Sequence, residues 1–276
     1  MRPIKICLRV LCLSIVLHAY APDVMAERLE QASVLESSWT FNAYIDFWIP
    51  KAPLTMSIDG NIVERPENLN TILDSMKLFA ALRFNAHKGP LGVFVNPIVY
   101  KGTWDKVKVQ LPLEERDGSI SESVWLVDYG MSYQIGRWDL GQDGKSRVVS
   151  LEPYAGFRFL HDNITLEVEP GLIGDGFVTH KTISSNAPII GLQSSFQLND
   201  NWDFLLQGDY GGFDVDDMDN TYLMASYFNY DFKWRKLNSK FFFGYRFLHL
   251  EIDHKAEDVA LKVNVQGPIL GLGFAF

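Results

Sequence analysis

The last ten residues, Gly267-Pro-Ile-Leu-Gly-Leu-Gly-Phe-Ala-Phe276, are the stretch that decides the fold. Every second position counted back from the end is bulky and apolar or is proline, and the positions between are mostly glycine or alanine. Successive side chains of a β-strand point to opposite faces, so this period of two predicts a strand with one apolar face. We expect the strand to run from about Lys262 to Phe276, with its apolar stripe made by Pro268, Leu270, Leu272, Phe274 and Phe276.

The same alternation recurs upstream. In its first occurrence, Phe41, Ile45 and Phe47 alternate with Asn42 and Asp46. Each such segment is close to the ~9–11 residues with which a tilted strand crosses a bilayer. Ten strands are predicted in all, over residues 39–47, 78–87, 91–100, 122–134, 151–159, 188–198, 202–210, 221–232, 241–247 and 262–276.

The connections between these segments alternate between short and long. Short turns are predicted at 88–90 and 199–201. Longer loops are predicted at 51–76, 105–118, 162–185, 214–219 and 251–261. Outer-membrane barrels have short periplasmic turns, longer outer loops and an even number of strands. The sequence therefore predicts an all-β protein, a closed antiparallel transmembrane β-barrel of about 10 strands with both termini in the periplasm.

Residues 54–64 leave the strand count open. Leu54, Met56 and Ile58 alternate with smaller or polar residues. This segment either extends the first hairpin beyond the membrane or adds a further pair of strands. Barrels of eight or twelve strands are therefore the alternatives to ten.

Residues 1–26 have the features of a secretory signal peptide. Three positively charged residues precede a short apolar run that ends near Ala21, and Val24-Met-Ala26 supplies small residues before a cleavage site. Cleavage after Ala21 and an uncleaved anchor are the alternatives. The predicted organisation is a signal peptide at 1–26, a short periplasmic segment at 27–38 and the barrel domain at 39–276.

Composition narrows the classes of function. The chain has a net charge of −9, and loss of the predicted signal peptide, which is basic, makes the mature chain more acidic. Nucleic-acid binding, which needs a basic face, is therefore not expected. Both cysteines, Cys7 and Cys12, lie in the predicted signal peptide, so the mature chain has no thiol for a disulfide, a nucleophile or a metal. No cofactor and no metal are expected.

The apolar stripe at the C-terminus resembles the sorting signal read by the machinery that assembles outer-membrane barrels. The residues that would be recognised are Leu270, Leu272, Phe274 and Phe276. A last strand of this kind also closes a barrel, so that no open edge is left in lipid. The predicted partners are therefore this machinery during biogenesis, then outer-membrane lipid and lipopolysaccharide.

Several segments are similar to those of an uncharacterised family of small Gram-negative outer-membrane β-barrel proteins. They are residues 44–50, 156–158, 209–213, 244–246 and 267–271. The resemblance implies the fold and the outer membrane as the location. It implies no catalytic residue.

Aromatic residues occur near the ends of many predicted strands. Outer-membrane barrels have girdles of aromatic residues at both membrane interfaces. The girdle candidates are Trp39, Trp48, Tyr100, Trp104, Trp125, Tyr133, Trp202, Tyr210 and Tyr230, and core packing is the alternative for some of them.

The strand faces opposite the apolar stripes carry polar residues that are expected to point into the lumen. A network of paired acids and bases is predicted from Asp46, Arg83, Glu122, Asp128, Glu152, Arg158, Asp209 and Arg246. The neutral residues expected beside them are Asn42, Asn85, Gln193, Gln207 and Gln266. Small barrels of about eight strands are filled by side chains, whereas aqueous channels need many more strands. A filled barrel is therefore favoured over a narrow pore lined by these charges.

A rim hydrolase is a further alternative. His161-Asp162, His249, His254, Asp46 and Asp214 are predicted near strand ends, and a His–Asp pair can activate water. The acidic segment 214–219 also has the hard oxygen ligands of a calcium site. Its spacing departs from that of a calcium loop because Met218 occupies a ligand position.

These observations favour a non-enzymatic integral outer-membrane barrel with a structural or surface-interaction role. A narrow, porin-like pore for small solutes or ions comes second, and a rim hydrolase third. The sequence does not indicate an extracellular partner.

Overall fold

Ten antiparallel strands close into a barrel in the computed structural model, which describes residues 38–51, 54–65, 76–141, 147–172 and 174–276. The predicted signal peptide and residues 27–37 lie outside the described residues. The strands are β1 (Thr40–Trp48), β2 (Leu54–Ile58), β3 (Asn61–Arg65), β4 (Met76–Lys88), β5 (Leu91–Gln110), β6 (Glu115–Tyr133), β7 (Gly136–Asp139), β8 (Val148–Val168), β9 (Phe177–Gln197), β10 (Trp202–Val215), β11 (Met218–Trp234), β12 (Leu237–His254) and β13 (Val259–Ala275).

Pairing of the first strand with the last closes the barrel. Ala43 of β1 lies opposite Phe274 of β13, and the same strand pairs on its other side with β4. The full order around the wall is β1, β4, β5, β6, β8, β9, β10, β11, β12 and β13. The prediction of a closed, antiparallel barrel of ten strands is confirmed.

The hairpin β2–β3 lengthens the barrel wall on one side, between β13 and β5. Leu54 of β2 pairs with Val263 of β13, and Ile62 of β3 pairs with Gln110 of β5. The two strands thus continue the wall beyond the ends of β1 and β4. They extend the first hairpin and do not make a twelve-stranded barrel.

An apolar belt surrounds the part of the barrel near the chain ends, which we call the proximal end. On β8, Phe157 is 43% exposed although it is a large apolar residue, and the neighbouring Arg158 is 0% exposed. Outward residues from Leu151 to Phe159 are all apolar. At about 3.3 Å per residue and a tilt near 45°, this segment spans most of the ~25 Å apolar band of a membrane barrel. The exposed stripe is therefore the lipid-facing surface of a transmembrane barrel.

Beyond the belt the strands continue, but their two faces exchange character. On β8 the outward positions become polar at His161, Asn163 and Glu167, while the inward positions become aliphatic at Ile164 and Leu166. The same exchange occurs on β9, β12 and β13. We call this part the distal extension; it comprises residues 54–65, 101–123, 161–186, 211–221 and 249–266.

The distal extension has the interior of a water-soluble protein. Most of its inward side chains are apolar, and a central set of them is no more than 2% exposed. Burial of such apolar area stabilises a fold by roughly 25 cal/mol per Å². This distal core consists of Met56, Ile58, Val63, Val107, Val109, Ile120, Ile164, Leu166, Val168, Ile183, Met218, Ile252 and Val259.

The distal extension corrects the predicted loops. Segments 105–118, 162–185 and 251–261 were expected to be loops, yet most of their residues are paired strand. The connection between β10 and β11 is residues 216–217, and that between β12 and β13 is residues 255–258. Inward aliphatic residues need a sheet around them, because a loop would leave them in water.

The girdle candidates divide between the two faces of the wall, and Tyr100, which lines an interior cavity, is not a girdle residue. Trp125, Tyr133 and Tyr210 are outward and between 47% and 53% exposed. Trp48 and Trp104 are buried inside the barrel, at 5% and 2% exposed, and so are not girdle residues. Among the described residues, the structure has no helix long and apolar enough to cross a membrane.

Candidate functional site in the barrel interior

Two clusters of charged side chains fill the interior at the level of the apolar belt. In the first, Asp46 accepts hydrogen bonds from Arg83 Nε at 3.0 Å and from Arg246 Nη2 at 2.8 Å. Arg246 also donates to the Tyr227 hydroxyl at 3.0 Å. Asp46 is 3% exposed and Arg246 is 4% exposed. Because one carboxylate bridges three strands, the cluster ties β1, β4 and β12 together across the lumen.

Aromatic rings surround the remaining guanidinium group of this cluster. The Arg83 carbon Cζ lies 4.6 Å from the centre of the Tyr44 ring and 4.8 Å from the centres of the Tyr227 and Phe242 rings. Such cation–π contacts contribute roughly 0.5–2 kcal/mol each, and more where water is excluded. They leave Arg83 packed in place.

The second cluster is centred on Arg158. Its Nε and Nη2 donate to the two oxygens of Asp128 at 2.7 and 2.8 Å. The same Nη2 donates to Asp209 at 3.3 Å, and Nη1 donates to the Thr221 hydroxyl at 2.6 Å. Tyr154 donates to Asp209 at 2.9 Å. Acceptors on β6, β10 and β11 thus receive four hydrogen bonds from this one buried guanidinium group.

The structure therefore brings together six of the eight residues predicted for the network: Asp46, Arg83, Asp128, Arg158, Asp209 and Arg246. Glu152 lies apart, where its carboxylate accepts a hydrogen bond from His87 Nε2 at 3.0 Å. Glu122 lies beyond the charged clusters, beside an apolar cavity. Gln266 was expected inward but lies on the outer face, where it accepts from Tyr245.

Several members of these clusters were not predicted. Tyr154, Thr221, Tyr227 and His87 complete the hydrogen bonds of the charged residues. Tyr154 was not among the residues predicted to point inward, although it lies two residues after Glu152 and four before Arg158, on the same face of the strand. That spacing is the signal that identifies it as inward.

Cavities and layers of packed side chains follow one another along the lumen. Near the proximal end, a polar cavity of about 40 Å³ is bounded by Asn85, His87, Gln193 and Gln207. The charged clusters follow, then an apolar cavity of about 120 Å³. The distal core lies beyond it. Across the described residues, side chains thus fill the barrel both at the charged clusters and at the distal core.

The rim residues proposed for hydrolysis are not assembled. His161 and Asp162 point to opposite faces of β8, because His161 contacts Ser184 on the outside whereas Asp162 is 3% exposed inside. Asp46 was expected near a rim and lies instead in the buried cluster with Arg83. His249 stacks on Tyr222 with ring centres 4.6 Å apart.

Two histidines meet carboxylates in the distal extension: His249 Nε2 lies 3.6 Å from Glu251, and His254 lies closer to Asp217. His254 Nδ1 lies 2.7 Å from Asp217, in a turn where Asp214, Asp216 and Asp217 all have positive φ. Neither residue lines the interior cavities described above. Asp216 is engaged by the backbone N–H of Asn186. The pair therefore holds a turn at the distal end.

Ionisation in the same region follows local contacts. Desolvation raises the pKa of the Asp219 carboxyl, and the nearby Asp214, Asp253 and Glu251 raise it further. A hydrogen bond from Asn220 lowers the pKa of the Glu251 carboxyl, with Lys262 contributing. Among the described residues, no group of three or more side chains is placed to hold a metal ion.

The predicted assembly signal lies on the closing strand. Leu270 and Leu272 face outward and are 43% and 37% exposed. Phe274 is half-buried, with its ring centre 6.2 Å from that of Trp234, and Phe276 is 67% exposed. These positions present a stripe on the outside of the barrel, and recognition of that stripe remains a prediction.

No protein-family model and no curated protein matches this sequence. Among solved structures, the outer membrane protease OmpT from Escherichia coli aligns with 87% of this chain and 99% of its own, at 10% identity and a TM-score of 0.49.

Two further solved structures align at lower TM-scores. The attachment invasion locus protein Ail of Yersinia pestis covers 87% of this chain and all of its own, at 15% identity and a TM-score of 0.34. The translocator domain of autotransporter NalP from Neisseria meningitidis covers 96% of this chain and 98% of its own, at 9% identity and a TM-score of 0.37. Because these TM-scores lie below 0.5, the activities of these proteins carry no weight for this chain.

Proposed function

We propose that this chain is a closed integral barrel of the Gram-negative outer membrane, with a non-enzymatic, structural or surface-interaction role. The apolar belt would lie in the membrane, and the distal extension would stand outside the cell. The proximal end, with both chain ends, would face the periplasm. Lipid and lipopolysaccharide would surround the belt, and the assembly machinery would read the closing strand.

The filled interior is the observation that carries this proposal. Arg158 and Arg246 are buried and bridge strands across the lumen, and the distal core packs aliphatic side chains above them. A buried network of this kind is stable because its members satisfy one another. A conducting channel would need a continuous polar path, which the distal core opposes.

The polar outer face of the distal extension supports a surface role. Its outward residues include His161, Asn163, Glu167 and Lys262, while most of its inward residues are apolar. A tall, well-packed sheet outside the membrane costs many ordered residues and adds nothing to membrane anchoring. It does provide a rigid surface on which a partner can bind.

Ion conductance of the refolded mature chain, residues 27–276, in a planar bilayer tests the proposal. Silence from protein that shows heat-modifiable migration on a detergent gel is the expected result. Steady, reproducible current steps would overturn it in favour of the narrow pore. The variant Arg158→Ala would then be compared with wild type, since a lumen residue would change the step size.

A further inference from the structure

The apolar cavity between the charged clusters and the distal core is unusual in its chemistry. It encloses about 120 Å³ and is lined mainly by aromatic and aliphatic side chains. The interior of a membrane barrel at this level is normally polar. Its principal lining residues are Trp48, Phe79, Tyr100, Trp104, Leu160 and Leu250.

The cavity lies beside the part of the wall where the pairing of β1 with β4 ends and the pairing of β2 with β3 begins. Pairing of β1 with β4 ends at Asp46 and Ala81, and pairing of β2 with β3 begins at Leu54 and Arg65. Phe79, which lines the cavity, belongs to the end of β4 that extends beyond this pairing. The interruption explains why the side chains here leave a space.

A void of this size costs contacts, because atoms on its walls have no neighbours across it. Part of its wall is closely packed: Leu160 is 1% exposed and Trp104 is 2% exposed. An apolar cavity of roughly 150 Å³ lined by Leu, Ile and Phe stays dry and takes up benzene. The space here is of the size and kind that accommodates one aromatic ring.

One polar group of the lining lacks a partner. The indole N–H of Trp48 is buried, and it has no hydrogen-bond acceptor among the described residues. Trp48 itself is 5% exposed. The carboxylates of Glu122 and Asp162 also border the cavity, and both have interaction partners within the protein. A buried donor without an acceptor costs free energy that a bound acceptor would recover.

We propose that this cavity is a binding site for a small, neutral aromatic molecule of one ring that carries a hydrogen-bond acceptor. The ring fills the space between Trp104, Phe79 and Leu250. The acceptor receives the indole N–H of Trp48. Binding requires no charge on the ligand, because Glu122 and Asp162, the carboxylates that border the cavity, are already engaged within the protein.

The test uses two probes of nearly equal size, 3-fluoropyridine and fluorobenzene, and ¹⁹F NMR of the refolded mature chain in detergent. Saturable binding of both probes is expected, with 3-fluoropyridine favoured by its ring nitrogen. Trp48→Phe keeps an aromatic ring but removes the donor. It is expected to weaken 3-fluoropyridine about fivefold, the value of one net hydrogen bond, and to leave fluorobenzene nearly unchanged.

A blocking variant and a matched control separate the cavity from the detergent. Val263→Phe adds a ring to the lining and is expected to abolish saturable binding, whereas Met224→Trp, on the lipid-facing surface at 65% exposed, leaves it intact. Equal binding by wild type and a heat-modifiable Val263→Phe barrel would overturn the proposal. If that variant does not fold, an unchanged affinity of Trp48→Phe for both probes would overturn the hydrogen-bonding role, and absence of saturable binding to wild type would overturn the site.

Discussion

At the scale of residues, the interior depends on charges that have no access to water. Arg158 is 0% exposed, and its guanidinium group serves Asp128 and Asp209 together. Attraction between buried charges offsets their desolvation only when the geometry is good and the remaining hydrogen bonds are made. Here the Thr221 hydroxyl accepts a further hydrogen bond, from Nη1 of Arg158. The arginine is therefore the group on which the second cluster depends.

Removal of Arg158 should destabilise the barrel strongly. Arg158→Met leaves two carboxylates buried without a cation, a situation that costs about 3–5 kcal/mol. Adding Asp128→Asn and Asp209→Asn to that variant should recover most of the loss. Urea titration of unfolding in detergent measures the difference. Lys108→Met, which removes an exposed pair with Asp117, should have a much smaller effect because solvent screens that pair. A similar cost for both variants would contradict the dependence of stability on Arg158.

Glu251 makes the stability of the distal extension depend on pH. A hydrogen bond from Asn220 at 2.6 Å lowers the pKa of the Glu251 carboxyl below its ordinary value of 4.5. Its contribution is therefore present above pH 4.5 and is lost as the pH falls through the lower, folded-state pKa. In Asn220→Ala the pKa should rise toward 4.5, and the loss of stability in acid should become shallower. Titration of the carboxyl carbon by NMR measures the shift, and Asn238→Ala at the proximal end of β12 should leave it unchanged.

At the scale of elements, the membrane-spanning strands follow from the sequence and the distal extension does not. Phe157 and Phe159 alternate with polar residues, so lipid contact is visible as a period of two. Beyond Leu160 the apolar residues, such as Ile164 and Leu166, are on the inward face instead of the outward face. The strand nevertheless continues in the same register. A period-two pattern that changes phase looks like the end of a strand. The phase change marks the membrane boundary instead.

The charged clusters were predicted as a set, but their pairing was not. Sequence alternation placed Arg83, Arg158 and Arg246 on inward faces. Which carboxylate each one meets depends on register across the lumen. Asp46 meets Arg246 across the closing strand although they are 200 positions apart. A pattern read over a few neighbouring residues cannot reveal a contact between residues so far apart in the sequence.

The turn between β11 and β12 offers a test of one element. Trp234 pairs with Leu237, so Arg235 and Lys236 form a two-residue hairpin turn. Arg235 has φ of 58°, a conformation that glycine adopts without steric cost. Arg235→Gly should stabilise the barrel by about 1 kcal/mol. Lys236→Gly should destabilise it slightly, because glycine there adds only chain entropy in the unfolded state. Equal effects of the two changes in urea titrations would count against the turn geometry.

At the scale of the whole molecule, one continuous sheet faces lipid in one part and water in the other. Its proximal part is turned apolar side out, and its distal part is turned apolar side in. The two parts share strands, so the boundary between lipid and water is fixed by sequence at positions such as Phe159 and His161 on β8. The depth of the barrel in the membrane follows from that boundary. The direction in which the distal extension points follows from how the chain is inserted.

The orientation can be determined with single cysteines, because the only native cysteines are Cys7 and Cys12 in the predicted signal peptide. Lys255→Cys places a thiol in the exposed distal turn, and Asp200→Cys places one in the exposed proximal turn. A membrane-impermeant maleimide should label Lys255→Cys on intact cells. It should label Asp200→Cys only after the outer membrane is permeabilised. The reverse pattern would place the distal extension in the periplasm, where a tall, rigid surface would meet periplasmic partners and the proposed role at the cell surface would fail.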